Sequence, residues 1–178
     1  MNLAAAAPLW LLILLAALLA AAAIEDAIRL RISNATVLGV IIAAGIAMAL
    51  AGFPIGLWQN ALVFVGLLVA GTFLFSAGWM GGGDVKLLAA LGLWVNLSDA
   101  LWLLVSVFLA GGLIAMLYII ARPLRRRAGG PGEKLIGSQI PYGLAIASGA
   151  AIMFAAHMND SGSKLQKQNR LPFSVERK

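Results

Sequence analysis

Apolar runs separated by short polar breaks constrain this chain more than any other feature. Six runs cover residues 3–24, 35–52, 61–76, 85–97, 100–120 and 140–157. Crossing a hydrocarbon core of ~30 Å takes about 20 residues of helix. The first and fifth runs meet that length, the second, third and sixth approach it, and the fourth falls short. The expected fold is an all-α polytopic membrane protein with about six transmembrane helices, one of them short and starting at the GGGD segment (81–84). Charge content agrees, since only 11% of residues are charged, against roughly a quarter in a soluble domain. One domain is expected over 1–157, followed by a polar basic tail at 158–178 that is read as disordered and outside the folded unit.

The first run has one competing reading. Residues 20–23 are small enough for a signal-peptide cleavage site, but the opening "MNLAAAAPLW" lacks the Lys or Arg of a secretory leader. A retained helix is expected. Orientation follows from the cations. Arg29 and Arg31, Lys86, and the stretch "RPLRRR" (122–127) fall on one side if every run crosses, and that side is expected to be cytoplasmic. Trp10, Trp58, Trp94 and Trp102 would then form an aromatic belt at the outer interface. The net charge of +6 therefore points to lipid contact and membrane orientation, with no nucleic-acid partner.

The chain contains no cysteine and a single histidine, His157. Thiol catalysis, Cys-ligated zinc and multi-histidine metal sites are excluded, so no metal or other cofactor is expected. Acids remain as the source of chemistry, and there are seven. Asp99 follows Ser98 at the start of a run, where helix capping explains it. Glu133 lies in a loop, and Asp160 and Glu176 lie in the tail. Glu25 adjoins Asp26 but points about 100° away on a helix, and is read as interfacial.

Asp84 is different. The run after it would make a helix of only ~20 Å, so "GGGD" enters the bilayer or the bilayer thins around it. Irregular backbone at depth requires a wet or protein-packed cavity, and an ionisable residue there suggests function. Simple capping of the short helix is the competing reading. Asp26 alone could merely pair with Arg29 at i,i+3. Topology gives it weight: two crossings separate Asp26 from Asp84 and return the chain to the same side. Two acids sharing a site resist ionising together. One then serves as base towards water and the other as acid towards a carbonyl, which suits hydrolysis of a peptide bond without metal or thiol.

Gly81, Gly82, Gly83 and Asp84 match a GxGD signature, and "GGGDVK" extends it to the GxGDxK form. "DAIRLRISN", from Asp26 to Asn34, and "IPYG", from Ile140 through Pro141 and Tyr142 to Gly143, accompany it in order. Together these segments resemble the type IV prepilin peptidases, a family of GxGD membrane aspartic proteases. Ser33 departs from the family's usual proline. The resemblance implies Asp26 and Asp84 as the catalytic pair. It further implies cleavage after the basic leader of a prepilin, at the cytoplasmic face of a bacterial inner membrane. Larger members carry a cytosolic insertion with paired cysteines and also methylate the new terminus; this chain is similar to the minimal, peptidase-only kind that serves Flp/Tad pili.

Within that frame, Asp84 at a helix N-terminus is expected to be the ionised base. Asp26 at a helix C-terminus is expected to be the protonated acid. Gly81 and Gly83 either seat an extended peptide or form a helix-start turn. Lys86 lies about 200° around the helix from Asp84 and is expected to reach the interface or the substrate. Asn34, Pro141, Tyr142 and Gly143 are expected to support the site, Tyr142 as substrate contact or interface anchor. Two other functions share parts of the pattern. A proton- or ion-coupled small transporter could use Asp26 and Asp84 as carriers, but no internal symmetry is evident. A protease cutting within spans shares GxGD but does not account for the other two segments.

Overall fold

In the computed structural model, residues 2–53, 55–128 and 142–169 are described. Their regular structure is all helical, with no strand among them: α1 (Leu3–Ala6), α2 (Leu9–Arg29), α3 (Asn34–Leu50), α4 (Trp58–Ser76), α5 (Gly82–Gly92), α6 (Leu97–Ala128) and α7 (Tyr142–Asn169). A short 3-10 turn, Ile55–Leu57, leads into α4.

The first apolar run is not one helix. Proline has no N–H to donate, and it drives the preceding residue out of the helical region. Ala7 is accordingly extended (φ −72°, ψ 144°), and the helix restarts after Pro8. The small helix α1 is tied to the distant end of α5, with Leu3 donating its N–H to the Trp94 carbonyl at 3.0 Å. Asn2 reaches Asp99 on α6 at 2.7 Å. Helix α2 then rises for 21 residues, ~31 Å, carrying Asp26 to the opposite end of the bundle. It ends at Leu30, a left-handed residue with φ 51°.

Helices α2, the segment Ile55–Ser76 and the stretch Leu97–Leu117 of α6 are long and apolar enough to cross a membrane. The segments Asn34–Leu50 and Tyr142–Ala156 are apolar but shorter. Large side chains such as Ile13, Ile42, Phe73 and Phe108 point outward, while the interior is rich in Ala43, Ala44, Ala47, Ala89 and Ala90. That distribution suits lipid, where apolar side chains gain nothing by leaving the hydrocarbon and helices associate through small-residue contacts. The tightest contact is Gly149 of α7, where a Cβ would stand 2.5 Å from the Cα of Val107 on α6. Along α7 the small residues Gly143 and Ala147, at four-residue spacing, are buried, and Ala151, next in that spacing, is exposed. Gly149 takes the position of close approach instead, because the buried face of α7 turns through Ala145, Ile146, Gly149 and Ala150.

Helix α5 lies at the centre, packed against α4, α3 and α7. At 11 residues it is ~16 Å long, about half the hydrocarbon thickness. It starts within the GGGD segment, as expected, and every residue from Asp84 to Gly92 except Lys86 is buried. Two expectations need correction. Trp94 is fully buried, with its indole N–H donated to the Val40 carbonyl at 3.4 Å, so it belongs to the core rather than to a belt. Trp10, Trp58 and Trp102 are exposed. Helix α7 also continues through the polar stretch to Asn169, past the boundary drawn at His157.

Candidate active site

Three helix ends meet at the bottom of α2. The last turn of α2 holds Asp26, the first turn of α5 holds Asp84, and the first turn of α7 holds Gly143 and Leu144. Asp26 and Asp84 are both buried, 5% and 8% exposed, in a protein with few buried polar side chains. They line one open cavity of about 380 Å³, together with Leu30, Arg31, Ile32, Gly81, Gly82 and Gly83. The two carboxylates face the same cavity. The convergence inferred from topology is present in the fold.

The two acids are held very differently. The Oδ2 of Asp26 accepts the Gly143 N–H at 2.7 Å and the Leu144 N–H at 3.3 Å. These are among the N–H groups that a helix start leaves without intrahelical partners, so Asp26 caps α7 from 117 residues away. Its Oδ1 receives neither bond. Among the described residues Asp84 has fewer donors, with only the Gly81 backbone N–H directed at it. Its Oδ1 is buried with no hydrogen-bond partner among the described residues, and its Oδ2 turns back towards Gly81, where a Cβ would stand only 2.7 Å away.

The expected assignment of acid and base does not include the contact with α7. Weighing only the ends of α2 and α5 puts the negative charge on Asp84. The N-terminus of α7 also sits on Asp26, and two backbone N–H donors plus a helix N-terminus favour a carboxylate there. Nothing in the α2 or α5 sequence announces that contact.

The glycines of the site keep backbones close. A Cβ on Gly83 would lie 3.3 Å from both the backbone N and O of Ile32. On Gly143 it would lie 2.8 Å from Ile32 Cδ1 and 2.9 Å from Asp26 Cβ and Cγ. Gly81 is the extended N-cap of α5 (φ −71°, ψ 144°) and exposes its backbone to the cavity. Lys86 is exposed and donates to Asn34 Oδ1 at 3.1 Å, linking the starts of α5 and α3 rather than turning to Asp84. Tyr142 is about half-exposed at the start of α7 and does not line the cavity. Pro141 lies outside the described residues.

Several participants were not singled out in the sequence. Leu30 and Ile32 are cavity walls, and Arg31 is the cation that lines it. Leu144 supplies the second N–H to Asp26. Glu25, expected at the interface, is half-buried and accepts the Ser33 N–H at 2.9 Å and the Thr36 hydroxyl at 3.0 Å. The one available signal was local: Ser33 and Thr36 form a hydroxyl-rich start to α3 that invites a carboxylate partner.

The sequence model of the type IV leader peptidase family matches residues 13–120, which include both Asp26 and Asp84. No curated protein and no solved structure matches the chain. The chain belongs to the type IV leader peptidase family, and is a membrane-bound protease of that family.

Proposed function

From that membership we propose that this protein is a prepilin peptidase that removes the basic leader of type IV or Flp-type prepilins. Asp26 and Asp84 act as an aspartic pair at the cytoplasmic face of the inner membrane. The observation that carries this reading is two buried carboxylates on one open cavity, one capping a helix and the other with an unpartnered oxygen. Helices α2 to α7 account for six crossings, of which α5 is the short one. Its limited length draws the cavity below the membrane surface, where a substrate whose own helix lies in the bilayer presents its cleavage site.

The chemistry follows from the unequal surroundings of the two acids. Asp26 begins as the carboxylate, held by the N–H groups of α7, and its free Oδ1 takes a proton from water. The water oxygen bonds to the scissile carbonyl carbon while Asp84 gives its proton to the carbonyl oxygen, producing a gem-diol. Asp26 then passes its proton to the peptide nitrogen, and Asp84 takes back a proton from the gem-diol. The C–N bond breaks and both acids return to their starting states. General acid and base transfers of this kind contribute about 10²- to 10⁴-fold each.

Gly81, Gly82 and Gly83 leave one wall without side chains, so an extended peptide backbone can approach Asp84. Arg31, which also lines the cavity, disfavours a basic residue directly beside the cut, which keeps the leader's cationic cluster outside the cavity. Lipids are the other expected partners. Co-expression with a prepilin tests the reading. Asp26→Asn and Asp84→Asn should each abolish the mobility shift of the substrate while remaining in the membrane fraction. Normal processing by either variant overturns it.

A further inference from the structure

The loop from Leu30 to Ser33 joins α2 to α3, and three of its four residues form the cavity wall. Leu30 is left-handed, and Arg31, Ile32 and Ser33 are non-helical. Ile32 is the residue where the site closes: its backbone lies against Gly83 and its Cδ1 against Gly143. A wall of irregular backbone keeps its shape only if something fixes it, and the loop's backbone has one side-chain acceptor from outside. The Oε2 of Glu25 takes the Ser33 N–H at 2.9 Å and the Thr36 hydroxyl at 3.0 Å. Ser33 in turn caps α3 through Thr36 N–H at 3.1 Å. One carboxylate oxygen thus ties the last turn of α2 to the first turn of α3, across the base of the loop.

We propose that Glu25 is a positioning residue that holds the Arg31–Ile32 wall of the cavity in the shape that receives substrate. This rests on the peptidase reading above. It acts through the loop and touches neither water nor scissile bond. Asp26 is fixed separately by α7, so loss of Glu25 leaves the acid pair in place and loosens the seat. The signature is a change in KM with little change in kcat. Ser33 has φ −72° and ψ 146°, within the range that a proline ring imposes. A proline there removes the N–H that Glu25 satisfies and stiffens the loop by ring closure instead. The need for Glu25 is therefore conditional on the residue at position 33.

The absence of cysteine allows a test with two independent readouts. A nitroxide on Leu30→Cys reports loop motion in the full-length protein in nanodiscs, and prepilin processing reports KM and kcat. Glu25→Ala should mobilise the label and raise KM about tenfold, the effect of losing roughly one hydrogen bond to a charged group. Glu25→Gln, whose amide oxygen still accepts, should stay near wild type. In the Ser33→Pro background, where the Ser33 Oγ cap is absent from both arms, Glu25→Ala should change neither label mobility nor KM. An immobile label and unchanged KM in Glu25→Ala overturn the proposal, as does a Gln variant as impaired as Ala or an undiminished Glu25→Ala effect in the Ser33→Pro background. If the wild-type protein does not cut the prepilin, the peptidase reading fails, and the label alone still decides whether Glu25 holds the loop.

Discussion

Substituting Gly143 by alanine tests how the aspartic pair is held. The added Cβ would stand 2.9 Å from both Cβ and Cγ of Asp26 and 2.8 Å from Ile32 Cδ1. Ordinary contacts between such carbons begin near 3.5 Å, so Asp26 and the first turn of α7 must separate by roughly half an ångström to one ångström. The 2.7 Å bond from Gly143 N–H to Asp26 Oδ2 then stretches beyond useful length, and the 3.3 Å bond from Leu144 is lost with it. A hydrogen bond to a charged group is worth about 1.5–3 kcal/mol. A displacement of ~1 Å at a reacting group alone can cost 10²-fold. Gly143→Ala should therefore lower kcat by about 10- to 100-fold, with KM changed less, because the wall side chain it meets, Ile32, can yield at its flexible Cδ1 end while Asp26 cannot. Timed cleavage of purified prepilin in proteoliposomes measures both constants. Gly45→Ala is the control: nothing lies within 4 Å of its would-be Cβ, and the helix propensity of alanine adds a few tenths to about 1 kcal/mol of stability. Wild-type kcat in Gly143→Ala, with α7 still docked, refutes the view that α7 fixes Asp26.

Two further substitutions probe the cavity and its rim. Arg31 is exposed on the cavity wall, so Arg31→Glu should accept a prepilin with lysine beside the cut that the wild type cleaves poorly, a change of about tenfold from a charge contact in a partly solvated site. Competition between neutral-flank and lysine-flank prepilins reads it, and an unaltered preference removes Arg31 from substrate selection. Lys86→Met breaks one exposed bond of 3.1 Å to Asn34, worth about 1 kcal/mol. It should cost only a few-fold in activity in the same cleavage assay, and a far larger loss would place Lys86 against the substrate.

What could be read from the sequence was what local pattern decides. The glycines and Asp84 mark the start of a short helix because flexible backbone, an acid and a shortened apolar run coincide at 81–97. Asp26 could be brought to the same end by counting crossings. Pro8 carried a legible break that hydropathy averaging concealed, since the residues on both sides are equally apolar. Contacts made over long separations were illegible. Trp94 has the amphipathic character of an interface residue, yet its N–H finds Val40 in the core. The clamp on Asp26 depends on which helix start arrives beside it, and no periodicity within α2 encodes that. Glu25 was weighed by its angle on the α2 helix, whereas its partners Ser33 and Thr36 lie beyond the turn at Leu30.

The fastening of Asp26 by the first turn of α7 gives the enzyme a built-in order of maturation. Asp26 and Asp84 emerge from the ribosome before the N–H groups of Gly143 and Leu144 that organise the first of them. On the proposed reading, a chain halted before Tyr142 carries both acids but lacks the clamp on Asp26, so proteolytic competence comes only with insertion of α7. Supplying that segment as a separately expressed fragment should switch on a truncated chain, and cleavage by the truncated chain alone would show that Asp26 is organised without it.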